Sequence, residues 1–151
     1  MLEILYQDDH LVAIDKPAGL LVHASPIARD AEEFAIQLLR DQIGQRVYPC
    51  HRLDRKTAGV LIFALDKGSH RIVSDAFMNN EVEKWYHAIV RGYITEAGES
   101  TQSLINDKLK RQDAHTHFKP LKYTEMAFPT GNFPTSRYTL MELKPVTGRM
   151  H

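Results

Sequence analysis

A chain of 151 residues with 43% hydrophobic and 25% charged residues suits one ordinary folded domain, and its net charge of zero excludes a uniformly basic polyanion binder. No apolar run approaches the ~20 residues that cross a bilayer, and the start MLEILYQDDH carries acids where a signal peptide carries lysines, so a cytoplasmic location is expected. The single cysteine, Cys50, excludes an internal disulfide and a cysteine zinc site, and is expected to be buried rather than reactive.

In chain order, Leu2–Gln7 and Leu11–Asp15 are short apolar runs separated by Asp8-Asp9-His10, which predicts a β-hairpin. Lys16-Pro17-Ala18-Gly19 then breaks the strand. Ala31, Phe34, Ala35, Leu38 and Leu39 recur at helical spacing, with Asp30 and Glu33 as the capping arrangement, and predict a helix ending near Gly44. Val47–Leu53 and Val60–Leu65 read as strands joined by the polar loop Asp54-Arg55-Lys56-Thr57-Ala58-Gly59. A second helix is predicted from Lys67 to about Met78, capped by Asp66, with Ile72, Val73, Ala76 and Phe77 on one face. Tyr86–Tyr93 and Ser136–Leu143 read as further strands; residues 94–117 are polar and poorly patterned, and Pro129-Thr130-Gly131-Asn132 marks a turn. This mixture is that of an α+β fold.

The charge is unevenly spread. Residues 1–100 hold 11 Lys/Arg against 15 Asp/Glu, whereas residues 101–151 hold 8 against 4. In the later part Lys108, Lys110, Arg111, Lys119 and Lys122 outnumber Asp107 and Asp113, with His115 and His117 among them, so this part is the more suited to phosphate, although a solvated loop has the same composition.

Asp54 is the residue with chemistry in view. On a tight loop beside Arg55 and Lys56, a carboxylate stays ionised and can act as nucleophile or base; it can equally cap local amides as a turn aspartate. The string His51-Arg52-Leu53-Asp54-Arg55-Lys56-Thr57-Ala58-Gly59 resembles the catalytic motif of the RluA family of pseudouridine synthases, in which His-Arg-Leu-Asp is followed two residues later by Thr-Ser-Gly. Lys16-Pro17-Ala18-Gly19-Leu20 resembles the family's Lys-Pro-Ser-Gly segment. Lys84-Trp85-Tyr86 is similar to its Lys-x-Tyr motif, and Leu143-Lys144-Pro145-Val146-Thr147-Gly148-Arg149-Met150-His151 to the start of its last active-site motif. The four stand in the family's order. Within the family, Leu2–Asp8, Tyr86–Gly92 and Thr130–Tyr138 are similar to a branch that modifies tRNA.

The resemblance implies an isomerase that detaches uracil from a ribose, turns it and rejoins it through carbon. That reaction has no net redox change and no transferred group, so neither cofactor nor metal is expected. It implies an α+β fold with a mixed, mostly antiparallel sheet and flanking helices. Asp54 is implied as the catalytic carboxylate, adding to the base or ribose or abstracting a ribose proton, on the floor of a basic cleft. Tyr86 is implied on a neighbouring strand, stacking on the extruded uracil, with Arg52 reaching phosphate or the vacated stack. His51, Thr57 and Arg149 complete the implied substrate-binding set. The implied partner is RNA, most of all tRNA at the stem uridine of position sixty-five, with ribosomal RNA as the alternative; neither membrane nor protein partner is indicated. Ala58 stands where the family has serine, a change expected to matter little. The family's last motif continues to Gln-x-x-Arg, whose arginine partners the catalytic aspartate, so residues 1–151 are expected to be the N-terminal part of one catalytic domain, cut short after His151 and inactive alone.

Three other readings compete with this one. A kinase-like His-Arg-Asp loop fails because Leu53 intervenes and no glycine-rich loop or Asp-Phe-Gly accompanies it. A metal hydrolase using His115 and His117 fails because no carboxylate or cysteine nearby completes a plausible set. A non-catalytic RNA-binding fragment is distinguished by tolerating Asp54→Asn without loss of any activity.

Overall fold

The computed structural model describes residues 1–24, 33–105 and 109–148, which fall into two compact units, Met1–Glu81 and Val82–His151. The first begins with the expected hairpin, β1 (Glu3–Gln7) antiparallel to β2 (Leu11–Lys16). Asp8 closes it: its carboxylate accepts from the amides of His10 and Leu11 at 2.8 and 2.7 Å, and its own amide donates to the Leu11 carbonyl.

Helix α1 (Ala35–Ile43) starts later than expected, with Phe34 at the cap position and no side-chain cap. The reason is tertiary. The amides of Ala35 and Ile36 donate to the carbonyls of Leu21 and Val22 at 2.8 and 3.1 Å, so the first turn needs no carboxylate. Asp30 and Ala31 lie outside the described residues. The helix ends as expected at Gly44, whose φ of 71° is the left-handed conformation of a C-terminal cap.

Strands β3 (Tyr48–Pro49) and β4 (Gly59–Ala64) complete an antiparallel sheet of order β1-β2-β4-β3. The strand expected over 47–53 shortens to two residues; the chain leaves the ladder after Cys50, whose amide donates to the Ile62 carbonyl. Alternation along β2 turns Val12, Ile14 and Lys16 inward, each fully buried, to meet Leu61 and Phe63 of β4 and Leu39 of α1 in the core. Helix α2 (Lys67–Met78) follows, capped as expected by Asp66, which accepts from the Ser69 hydroxyl and amide at 2.6 and 2.9 Å. Those bonds pull the Asp66 pKa down to about 2. The expected face of α2 keeps Val73, Ala76 and Phe77 half-buried, but Ile72 is 71% exposed. His70 bonds the Pro49 carbonyl and Ser74 that of Cys50, while Phe77 stacks on His51. Polar contacts to the end of β3 thus set a helix phase that hydrophobicity alone does not reveal.

The second unit contains β5 (Tyr86–Arg91), β6 (Gly98–Ser100), β7 (Leu104–Ile105), β8 (Arg111–Gln112), β9 (Thr116–Met126) and β10 (Ser136–Pro145). An antiparallel sheet of order β5-β10-β9-β6 is accompanied by the β7-β8 ribbon. The turn expected at Pro129–Asn132 joins β9 to β10: Gly131 has φ 58°, and Thr130 and Phe133 exchange backbone bonds at 3.0 and 3.2 Å. Thr139 of β10, fully buried, donates to the Gly92 carbonyl and accepts from the Ile94 amide. The architecture is therefore α+β, the strands divided among two four-stranded antiparallel sheets and a two-stranded ribbon, with the described helices in the first unit. Among the described residues no helix is long and apolar enough to cross a membrane.

Candidate active site

Asp54 occupies the loop between β3 and β4, half-buried, with the buried side chain of Leu53 pinning the loop to the core. The Thr57 amide donates to the Asp54 carbonyl at 3.0 Å and closes a tight turn. The next residue ties this turn to the segment after β2: the Gly19 amide donates to the Arg55 carbonyl at 2.7 Å, and Arg55 Nε donates to the Gly19 carbonyl at 3.1 Å. Gly19 can close this reciprocal pair because its φ of 94° lies where side chains are disfavoured. Two sequence motifs, residues 16–20 and 51–59, are thereby joined into one structure.

Beneath it lies Lys16. Strand alternation directs its side chain inward, and a buried ammonium must find acceptors. Its Nζ donates to the carbonyls of Pro17 and Leu20 at 2.9 Å each, with the Arg55 carbonyl at 3.5 Å. Burial pushes the Lys16 pKa below its ordinary value, and the negative charge of Asp54 raises it again. The sequence points to Arg55 and Lys56 as the cations serving Asp54; both are exposed, and the buried cation that senses it is Lys16. The signal was present in the alternation Val12, Ile14, Lys16.

The other expected site residues divide. His51 Nε2 accepts from the Ile62 amide at 3.1 Å, and its ring stacks on Phe77 with centroids 4.3 Å apart, so this imidazole braces the start of the loop. Arg52 is exposed on the loop and Thr57 half-buried. Tyr86 opens β5 in the second unit, paired with Leu143 of β10. The ladder partners of β4 are β2 and β3, so β5 does not pair with the strand that follows the Asp54 loop. Arg149 and Lys108 lie outside the described residues. Lys110, Arg111, Lys119 and Lys122 are exposed on the second unit.

A family model described as RNA pseudouridylate synthase matches residues 10–151. The chain belongs to this family. Among curated relatives, the tRNA pseudouridine synthase C of Vibrio vulnificus is 51% identical across 100% of this chain and 66% of its own length. Its counterpart in Yersinia pestis is 44% identical across 100% of this chain and 63% of its own. Among solved structures, human RNA pseudouridylate synthase domain containing 4 matches with a TM-score of 0.70 at 28% identity, over 99% of this chain and 60% of that one. Human RNA pseudouridylate synthase domain containing 1 shares the fold, with a TM-score of 0.73 at 21% identity over 99% of this chain and 61% of its own. The chain thus spans about two thirds or less of the length of these members of the RNA pseudouridylate synthase family.

Proposed function

We propose that residues 1–151 belong to one catalytic domain of an RNA pseudouridine synthase that isomerises a uridine of tRNA, with Asp54 as the catalytic carboxylate. The observation that carries this reading is the interlock of Asp54's loop with residues 16–20 over a buried ammonium. A carboxylate held on a braced turn, with a fixed cation beneath it, is poised to attack or to take a proton without reorganising at the moment of reaction. Asp54 serves as nucleophile toward base or ribose, or as base toward the ribose; each route rejoins uracil through C5 and expels the hydrogen there. No cofactor enters either route. Names of relatives as similar as 51% support tRNA over ribosomal RNA, and the resemblance of Leu2–Asp8, Tyr86–Gly92 and Thr130–Tyr138 supports the uridine at position sixty-five.

A stem uridine must leave the helix to be reached, at a cost of a few kcal/mol. In this reading Arg52, exposed beside Asp54, fills the vacated stack or holds phosphate, and Tyr86 stacks on the extruded base. His51, Thr57 and Arg149 position substrate, and the cytoplasm, where tRNA is matured, is the site of action.

The test is tritium release from tRNA labelled at uridine C5, run with the full-length protein and its Asp54→Asn variant, with ribosomal RNA as a second substrate. Release from tRNA by the parent and none by the variant supports the reading. Binding of tRNA without release from either RNA replaces it with a non-catalytic RNA-binding role.

A further inference from the structure

Glu99, His115 and His117 lie far from Asp54 in the sequence and outside its chemistry, yet they form a compact donor set. Strand β6 pairs with β9 so that Glu99 stands directly opposite His117. His115, two residues earlier, shares the face of His117 by the two-residue period of extended chain, and the two imidazoles lie 4.7 Å apart between centroids. Glu99 Oε2 is 2.8 Å from His115 Nε2 and 3.8 Å from His117 Nδ1, and one donor atom from each residue lies within 4.8 Å of the others. The sequence shows the i, i+2 histidine pair but no sign of Glu99 as its carboxylate partner. The fold supplies one across the ladder.

We propose that Glu99, His115 and His117 bind one divalent transition-metal ion, Zn²⁺ being the best match. Two imidazoles and a carboxylate suit zinc and its neighbours rather than Mg²⁺ or Ca²⁺, which take mainly oxygen ligands. Tetrahedral zinc with bonds of ~2.0–2.1 Å sets its ligand atoms about 3.3 Å apart. The separations present bracket that value, so small side-chain rotations close the site. His115 is held ready: its amide donates to Thr147 Oγ1 at 2.9 Å, and its carbonyl accepts from the amides of Val146 and Thr147 at 2.9 and 3.3 Å. Three protein ligands leave the fourth position to water, which matches a set in which the Glu99 and His117 side chains keep 57% and 52% of their surface exposed.

The ion acts as a clip. Glu99 precedes and His115 follows the segment 100–114, so one metal ties both ends of that segment and fastens the three-residue edge strand β6 to β9. The same segment carries the exposed Lys110 and Arg111.

The experiment is a titration of tag-free, metal-stripped protein with ZnCl₂ against a chromogenic zinc chelator, beside a Co²⁺ titration read in the visible spectrum. One Zn²⁺ per chain is expected, unaffected by excess Mg²⁺, with roughly tenfold or greater weakening in Glu99→Gln and in His117→Ala and none in His10→Ala. Co²⁺ is expected to give the intense visible bands of a four-coordinate ion in the parent, a readout that needs no variant to fold. Equal zinc affinity in parent, Glu99→Gln and His117→Ala, or only the weak spectrum of solvated Co²⁺, overturns the proposal and leaves Glu99 as an ion-pairing partner of two histidines.

Discussion

The ammonium of Lys16 has no surface left to solvent, and the charge that offsets its burial is the carboxylate of Asp54. Because the same ammonium donates to the carbonyls of Pro17 and Leu20, its loss unties the segment that holds the Asp54 turn. Lys16→Met is expected to lower stability by about 2 kcal/mol, the loss of the ammonium's hydrogen bonds to these two carbonyls, seen as an earlier midpoint in urea. In the full-length protein kcat for tRNA falls several-fold while KM changes little. A variant as stable and as fast as the parent removes Lys16 from the account. Removing the opposite charge acts on the lysine itself: Asp54→Asn moves the Lys16 pKa further down, which NMR titration of the ammonium measures.

His51 and Phe77 join the start of the Asp54 loop to α2. His51→Ala deletes the acceptor for the Ile62 amide and the stack on Phe77 together. Hydrogen exchange at the Ile62 amide is expected to accelerate, and kcat to fall by about tenfold, since small misplacements of a reacting group are costly. Phe77→Leu, which keeps the acceptor, leaves Ile62 protected and shows the smaller loss. Unchanged exchange in His51→Ala rules out the bracing role.

Asp66 makes the stability of α2 depend on pH. Its folded pKa, about 2, lies below the ordinary carboxylate value, so the stabilisation is complete above the unfolded pKa near 4 and drains away as pH falls from there toward 2. Asp66→Ala is expected to melt a few degrees below the parent at pH 7. The two melting curves should converge as the pH is lowered to about 2; a gap that persists at low pH assigns the loss to something other than the cap's charge.

Cys50 is buried, and burial pushes its thiol up to about 11. At pH 8 little thiolate is present and access is poor, so a disulfide reagent such as DTNB should label the native protein slowly and the urea-unfolded protein at once. Rapid labelling of the native state contradicts the burial.

The hairpin at Asp8, the cap at Asp66 and the turn at Gly131 were legible because each rests on local chemistry carried by one or two residues. What the sequence hid is what partners decide. Asp30 looked like a cap because nothing in the sequence announces that Leu21 and Val22 return to fill that role. The long strand β9 is not announced by the sequence, in which Pro120 stands near its middle; the ladder accommodates it where the register shifts between Leu140 and Met141, the latter facing Pro120. The candidate site divides in the same way. The Asp54 loop and the 16–20 segment were each legible as motifs, but their junction through Gly19 and Arg55 depends on the β2–β4 pairing. Glu99 was invisible beside the histidines for the same reason, being a neighbour across strands and not along the chain.

The β2–β4 ladder runs from Leu11 opposite Ala64 to Lys16 opposite Gly59, its final rung at the Asp54 loop. The pairing of β4 with β2 both covers that lysine and brings the segment carrying Asp54 to it. One ladder thus governs both the burial of the lysine and the placing of its half-buried counter-charge, and whatever loosens that ladder loosens the two together.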